Sequence, residues 1–296
     1  MLTTLPVKAK GEEQSMSTPG NAARDLMADA ATHQQWVAMY RTGEAQTFYE
    51  IAFDDIVGRL GAPADATILD AGCGSCAKSI LLAARGFRVV AMDYSASALA
   101  LATETVRAHG VGDRIMMQQG DLLNLPFKDC EFQYAVCWGV LMHVPELQRA
   151  LAELTRVLAP GGVLVLSEGN MYSAQSLAMR TLQRMLGRGR LERIQQRHYG
   201  RKLVVRTPAG LESREETNQG TLLTRQTDMA WLIEACEQLG LRLKARVPGQ
   251  FTELYTLALG RTLKYAIHAL NRVWFKHVRL AGPAFGNILF FEKTER

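Results

Sequence analysis

The sequence predicts an α/β fold in which a mostly parallel sheet is covered by helices on both faces. Three observations predict it. Unbroken apolar runs alternate with helical stretches from residue 66 onward, the first two runs close on Asp70 and Asp93, and Gly72-Cys73-Gly74 links the first run to the next helix. An apolar run without alternation marks a strand buried on both faces, as a parallel sheet between two helical layers requires.

Residues 1–24 are polar, with Gly11 and Pro19-Gly20, and read as a disordered tail. Residues 25–61 carry Trp36, Tyr40, Phe48, Ile51, Ile56 and Leu60 at helical spacing, and Gly61 ends the stretch. Residues 62–169 hold the βα rhythm itself. Strands are expected at 66–69, 87–92, 115–118, 131–138 and 163–167, with helices at 78–84, 97–108 and 146–158. Pro160-Gly161-Gly162 stops the last of these helices. Residues 170–225 interrupt the rhythm with two expected helices, Ser173–Leu186 and Arg190–Tyr199, and form a basic helical cap insertion. Residues 226–296 resume it with a helix at 228–239, a strand at 241–247, a long helix at 257–278 and a strand at 287–292, completing a seven-stranded sheet.

Composition is that of a globular chain: 296 residues, 48% hydrophobic and 21% charged. No uninterrupted apolar run reaches the length of a membrane span, and the N-terminal residues lack the apolar core of a secretory signal, so a cytoplasmic location is expected. Five cysteines, an odd number, point to reduced thiols. The net charge of +5 is concentrated: residues 170–225 hold eleven Lys/Arg against four Glu, a local +7. Such a field speaks of a partner or substrate and not of fold.

The turn after the first strand, Ile68-Leu69-Asp70-Ala71-Gly72-Cys73-Gly74, permits close approach of a ligand to a helix N-terminus. Asp93, closing the second strand, can accept both hydroxyls of a ribose. Gly72-x-Gly74-x-x-Ala77 is also an acceptable dinucleotide fingerprint. Asp70, two residues before the first glycine, argues against a pyrophosphate there and for a cationic ammonium or sulfonium ligand.

In these residues the chain resembles the class I S-adenosylmethionine-dependent methyltransferases, in particular the small-molecule group that includes the ubiquinone and menaquinone C-methyltransferases. The resemblance spans roughly Ile68 to Glu168. It implies a Rossmann-like sheet of five parallel strands followed by a hairpin-like pair with an antiparallel last strand. It implies S-adenosyl-L-methionine as cofactor, with Asp70, Gly72, Cys73 and Gly74 under the methionine half, Asp93 and Tyr94 at the ribose, and Asp121 and Leu122 at the adenine. The segment from Cys137 through Trp138 to His143 would line the transfer site, and the helical stretch 25–61 would form an N-terminal lid bringing Tyr40 to the sulfonium. Two departures are Cys76, at the third glycine of the loop, and Gln133, where an Asp usually opens the fourth strand.

His143 is the candidate catalytic base. His143, Asn170, Tyr172, Arg197 and Arg201 are expected to face the acceptor, read as a small molecule with an anionic group on the strength of the basic cap. Cys73-x-x-Cys76 sits inside the turn without a second pair at zinc-like spacing, so no metal is expected. A nucleic-acid acceptor ranks behind a small molecule, since no Asn/Asp-Pro-Pro-aromatic element follows the fourth strand and no aromatics interleave the basic residues. A nicotinamide-dependent oxidoreductase and a non-catalytic adenosylmethionine-binding protein are the readings from other classes. The late helix sets Arg261, Lys264, His268, Arg272 and Lys276 beside Leu263, Ile267, Leu270 and Trp274. Such a helix suits peripheral contact with a membrane, and the same apolar stripe also serves to pack a helix on its own domain. Oligomeric state is open.

Overall fold

The structure, a computed structural model, describes residues 43–186, 202–217, 220–257 and 260–295. Tyr40, Arg197, Arg201, the 1–24 tail and the expected helix Arg190–Tyr199 lie outside the described residues.

Helix α1 (Gly43–Leu60) precedes the rhythm β1 (Thr67–Ala71), α2 (Ala77–Ala83), β2 (Arg88–Asp93), α3 (Ala96–Ala108), β3 (Ile115–Gln119), β4 (Phe132–Trp138), α4 (Leu147–Val157) and β5 (Leu158–Gly169). The chain continues through α5 (Ala174–Leu186), strands β6 (Lys202–Thr207), β7 (Gly210–Thr217) and β8 (Gly220–Thr227), then α6 (Met229–Gln238), β9 (Leu241–Pro248), α7 (Arg261–Val273) and β10 (Gly286–Lys293).

The main sheet has seven strands in the order β3-β2-β1-β4-β5-β10-β9. Strands β1 to β5 pair in parallel, and β10 inserts antiparallel between β5 and β9. Neighbouring residues along each strand serve opposite faces. Leu69, Val90, Leu164 and Leu289 pack with α4 and α6, while Ile68, Val89, Val165 and Ile288 pack with α1, α2 and α3. This two-sided burial is why the strands read as unbroken apolar runs. The order also places β1 beside β4, with the chain running outward in both directions from that pair. In open α/β sheets the crevice at such a reversal, beyond the strand C-termini, receives ligands.

The cap departs from the expectation. Its first helix is present as α5, but the described residues of 202–217 and 220–227 form a three-stranded antiparallel sheet, β6-β7-β8. Thr207-Pro208-Ala209-Gly210 makes the reversal between β6 and β7. Gly210 has φ +143, and a Cβ there would lie 2.1 Å from the Gln226 carbonyl oxygen, so only glycine lets β7 start beside β8. Period-two patterning then decides the element. Leu223 and Arg225 turn inward to burial at 2% and 1% exposure.

The long C-terminal helix also differs. It is α-helical over Arg261–Val273 and continues as a wider five-residue turn, Trp274–Val278. Polar residues, not the apolar stripe, form its packed face: His268 and Asn271 are buried, and Leu263, Leu270 and Val273 are exposed. The cause is a paired amide. Asn271 Oδ1 accepts from Thr252 N at 3.0 Å and its Nδ2 donates to Thr252 O at 2.9 Å. The His268 ring lies 4.3 Å from that of Tyr255. Among the described residues no helix is long and apolar enough to cross a membrane.

Candidate cofactor and acceptor site

The first β–α turn is locked before any ligand arrives. Gly72 N and Cys73 N both donate to Met92 O, at 2.8 and 2.9 Å, tying the turn to the end of β2. Gly72 has φ +84, and a Cβ at this position would sit 2.4 Å from Val140 Cγ2, so the turn and the segment after β4 touch through a glycine. Cys76 holds φ +60, a left-handed conformation that costs a side-chain-bearing residue about 1 kcal/mol, where a third glycine would be relaxed. Asp93 braces the turn from the next strand. Its Oδ2 accepts from Gly74 N at 2.8 Å and its Oδ1 from Ser95 N at 2.9 Å.

Above this turn lies a cavity of about 530 Å³. Its walls are Asp70 and residues 72–75, 77 and 78 of the turn and α2, residues 92–94 and 120–123 at and after the ends of β2 and β3, and residues 138–140 and 142–145 after β4. Tyr49 of α1, alternate residues Leu222, Thr224 and Gln226 of β8, Glu253 and Phe285 complete it.

Of the residues singled out from sequence, Asp70, Gly72, Cys73, Gly74, Asp93, Tyr94, Asp121, Leu122, Trp138 and His143 line this one space. Asn170 and Tyr172 do not. Asn170 is 2% exposed, and its amide is consumed by the fold: Nδ2 donates to Gly282 O at 2.7 Å, and Oδ1 accepts from Tyr172 N at 2.9 Å. The Tyr172 hydroxyl accepts from Arg206 Nη2 at 2.9 Å outside the cavity. Both follow β5 closely in sequence, but the chain there turns towards the 282–284 loop.

Asp70 is buried, and Ser79 Oγ donates to its Oδ2 at 2.5 Å. Burial raises its carboxyl to about 6, against the opposing effects of the Ser79 hydroxyl and the Lys78 ammonium, so it is mainly ionised at neutral pH. Lys78, which sequence reasoning passed over, places its Nζ 3.2 Å from the centroid of the Tyr49 ring and 6.0 Å from that of Trp138. An aromatic corner able to hold a cation therefore exists here, built from Tyr49. The Cys73 thiol is held neutral by its neighbour Cys76 and by burial, which removes it as a nucleophile.

His143 Nδ1 lies 2.7 Å from Leu223 O. A carbonyl can only accept, so Nδ1 carries the proton and Nε2 is the acceptor nitrogen. Burial lowers the His143 pKa, which keeps the ring neutral. The bond also pins the segment after β4 to β8. Arg225, from the same strand, completes the attachment: its guanidinium donates to Leu141 O at 2.8 Å, Val144 O at 3.0 Å and Glu212 Oε1 at 2.8 Å. The cap sheet thus fastens one wall of the cavity. Among the described arginines of the insertion, Arg225 serves the fold and none lines the cavity, whose charged residues are mainly acids.

Beneath that wall, Glu168 at the end of β5 is 3% exposed. Its Oε1 accepts from Leu141 N at 3.1 Å, and its Oε2 has no hydrogen-bond partner. Burial raises its carboxyl to about 8. A folded-state pKa above the unfolded value makes the protonated form the stabilising one, so this contribution is complete below about pH 4.5 and is lost as pH rises through 8. Glu168→Gln keeps the acceptor for Leu141 N and cannot ionise. Chemical unfolding at pH 5 and pH 9 should show the variant gaining roughly 1–3 kcal/mol on wild type between the two pH values. Parallel pH dependence of the two proteins would refute the assignment.

Comparison with known proteins agrees with this geometry. Residues 69–166 match the family described as "Methyltransferase domain". The demethylmenaquinone methyltransferase of Lactiplantibacillus plantarum is 38% identical over 108 residues, covering 35% of this chain and 45% of the relative. The chain carries a class I S-adenosylmethionine-dependent methyltransferase domain. A SAM-dependent methyltransferase structure from Methanosarcina mazei superposes on this chain with a TM-score of 0.54 at 20% identity, covering 81% of this chain and 98% of the other. The [4+2]-cyclase SpnF aligns with a TM-score of 0.52 at 19% identity, covering 83% and 81%. These two likenesses concern the fold alone. The chain spans less than half the length of the curated relative it matches, and the matched region covers the sheet from β1 to β5.

Proposed function

We propose that the chain is an enzyme that transfers a methyl group from S-adenosylmethionine to a small-molecule acceptor held in the same cavity. One observation carries this: the glycine turn, the acid closing β2 and the acid following β3 converge on one cavity through Gly72, Asp93 and Asp121. The residues fit the cofactor in its three parts. Asp93, at the edge of the turn, suits ribose hydroxyls, and Asp121 with the side chain of Leu122 suits the adenine. At the methionine end Asp70 and Lys78 present opposite charges, which suits an amino-acid zwitterion. When bound there, the cofactor supplies a methyl carbon on a positively charged sulfur.

The protein's part in such a transfer is placement and exclusion of water. Trp138 packs on Phe53 and Tyr49, with ring centroids 5.3 and 6.1 Å away, and forms a rigid floor between the cofactor end and the acceptor end. The acceptor end is walled by Met142, His143, Leu222, Thr224, Gln226 and Phe285. Among the described residues around the cavity acids outnumber the single lysine, which favours an acceptor uncharged on entry over the anionic one suggested by the basic cap, whose Arg197 and Arg201 lie outside the described residues.

Calorimetry separates this reading from a nicotinamide enzyme. S-adenosylhomocysteine should bind and NADH should not; the reverse order would overturn it. A sharper arm uses Lys78→Met. Loss of a charged contact to the carboxylate should weaken S-adenosylhomocysteine roughly ten- to hundredfold and leave 5′-methylthioadenosine, which lacks the amino-acid end, unaffected. Equal losses for both ligands would assign Lys78 to something other than the zwitterion.

A further inference from the structure

We propose that the outer face of α7, with the adjoining face of α5, docks on the surface of an anionic lipid bilayer. The inference stands apart from the methyl-transfer reading above and concerns side chains that do not line the cavity.

Both helices are turned inside out. α7 packs on the domain through His268 and Asn271, while Leu263, Leu270 and Val273 are 56%, 44% and 51% exposed. At about 3.6 residues per turn these three share one stripe, roughly opposite the packed pair. α5 repeats the arrangement: Ser176 is buried, and Leu177, Leu182 and Met185 are exposed. A surface helix of a soluble domain ordinarily buries its apolar stripe and shows its polar one. The two helices are neighbours. Gln175 of α5 accepts through Oε1 from Glu253 N at 2.8 Å and from the Thr252 hydroxyl, and the Asn271 amide of α7 bonds the Thr252 backbone in both directions. Thr252 thus lies between them.

The exposure is concentrated. Among the described residues, every exposed large apolar side chain lies within 172–205 or 254–280, apart from Tyr94, Met116 and Leu239. Apolar side chains exposed singly are ordinary; gathered on two neighbouring helices they mark a surface that another body covers.

Charge decides what that body is. Residues 169–186 and 254–291 contain no Asp or Glu, against Arg180 and Arg184 in the first and Arg261, Lys264, Arg272, Lys276 and Arg279 in the second. Arg180 donates to Met171 O and Arg279 pairs with Asp55 of α1, so these two serve the fold. The other five have no carboxylate partner among the described residues. Glu44 of α1 acts on His268, which is on the packed side of α7. A second copy apposed through this face would set these cations against their own kind. A bilayer with acidic headgroups answers both halves of the pattern: the leucines and Val273 enter the acyl boundary, and the long basic side chains stay among the headgroups. Tyr265, exposed and 5.8 Å from the Arg272 guanidinium by its ring centroid, suits the same boundary.

Co-sedimentation of the full chain with vesicles tests this. The protein should bind vesicles of phosphatidylcholine mixed with phosphatidylglycerol, bind phosphatidylcholine alone roughly tenfold or more weakly, and lose affinity as salt is raised. Lys264→Gln with Lys276→Gln should weaken binding to the anionic vesicles roughly thirtyfold. Leu263→Asp with Leu270→Asp should weaken it roughly tenfold or more. All four side chains are exposed, so the urea midpoints should stay close to wild type. Should the aspartate pair unfold the protein, the lysine pair and the salt dependence of the wild type still decide. No binding to anionic vesicles would overturn the proposal, as would equal binding to both vesicle types or undiminished binding by both variants. A dimer in sedimentation equilibrium that the aspartate pair dissociates would overturn it too, and would assign the face to a second copy.

Discussion

Arg225→Met should cost about 3–5 kcal/mol of folding stability, although Arg225 lies outside the cavity and in the part of the chain with the strongest surface-like charge pattern. The side chain is 1% exposed and bonds two carbonyls of the segment after β4 as well as Glu212. Methionine fills much of the same volume. It leaves the Glu212 carboxylate without its buried partner and two carbonyls without a donor, and those orphaned groups carry most of the loss. Arg225→Lys should recover only a part, because one ammonium cannot span three acceptors in the fork geometry of a guanidinium. Arg225→Met combined with Glu212→Leu should lie well above the sum of the single losses, since it removes the uncompensated charge. Urea unfolding of wild type, Arg225→Met, Arg225→Lys, Glu212→Leu and the double variant measures this. A loss under about 1 kcal/mol for Arg225→Met would show that the cap does not fasten the cavity wall.

Asp93→Ala should weaken S-adenosylhomocysteine by about 3 kcal/mol, roughly a hundredfold in Kd, since two charge-assisted hydrogen bonds to the ribose are lost. Part of that loss passes through the protein. Asp93 also receives Gly74 N and Ser95 N, so alanine loosens the glycine turn as well. Asp93→Asn separates the two contributions, because its amide oxygen still accepts from Gly74 N while the second acceptor and the charge are gone. Calorimetry should place Asn between wild type and Ala. Undiminished affinity in both variants would remove the ribose from this aspartate.

The glycine turn and the alternation of strand and helix were legible because they are local: each is set by residues within about thirty positions, and the two-face burial writes itself as apolar runs. Asp70, Asp93, Asp121 and His143 sit at the ends of those runs, and the ends of parallel strands point the same way. The cap was legible only in part. Its arginines at four-residue spacing suggested two helices, up to residue 199, and a helical cap; beyond them the turn chemistry of Pro208-Ala209-Gly210 and the period-two burial of Leu223 and Arg225 decide for strands. Arg225 could not be seen as internal, because its partners Leu141 and Glu212 lie 84 and 13 residues away. Asn170 and Tyr172 were misplaced for a related reason: the path after β5 is fixed by contacts with residues 282–284, more than a hundred positions on. Glu253 carried no sequence signal, being a single acid on an irregular connection. Lys78 did carry one, four residues after Gly74 on the first turn of α2, where a side chain can return to the site.

The structure of the complex with S-adenosylhomocysteine tests the central claim most directly. The account predicts ribose hydroxyls on the Asp93 carboxylate, the adenine edge against Asp121 and Leu122, and the amino-acid end over Gly72–Gly74 between Asp70 and Lys78. A ligand seated elsewhere, or one whose ribose avoids Asp93 with its amino-acid end away from the first turn, would contradict it.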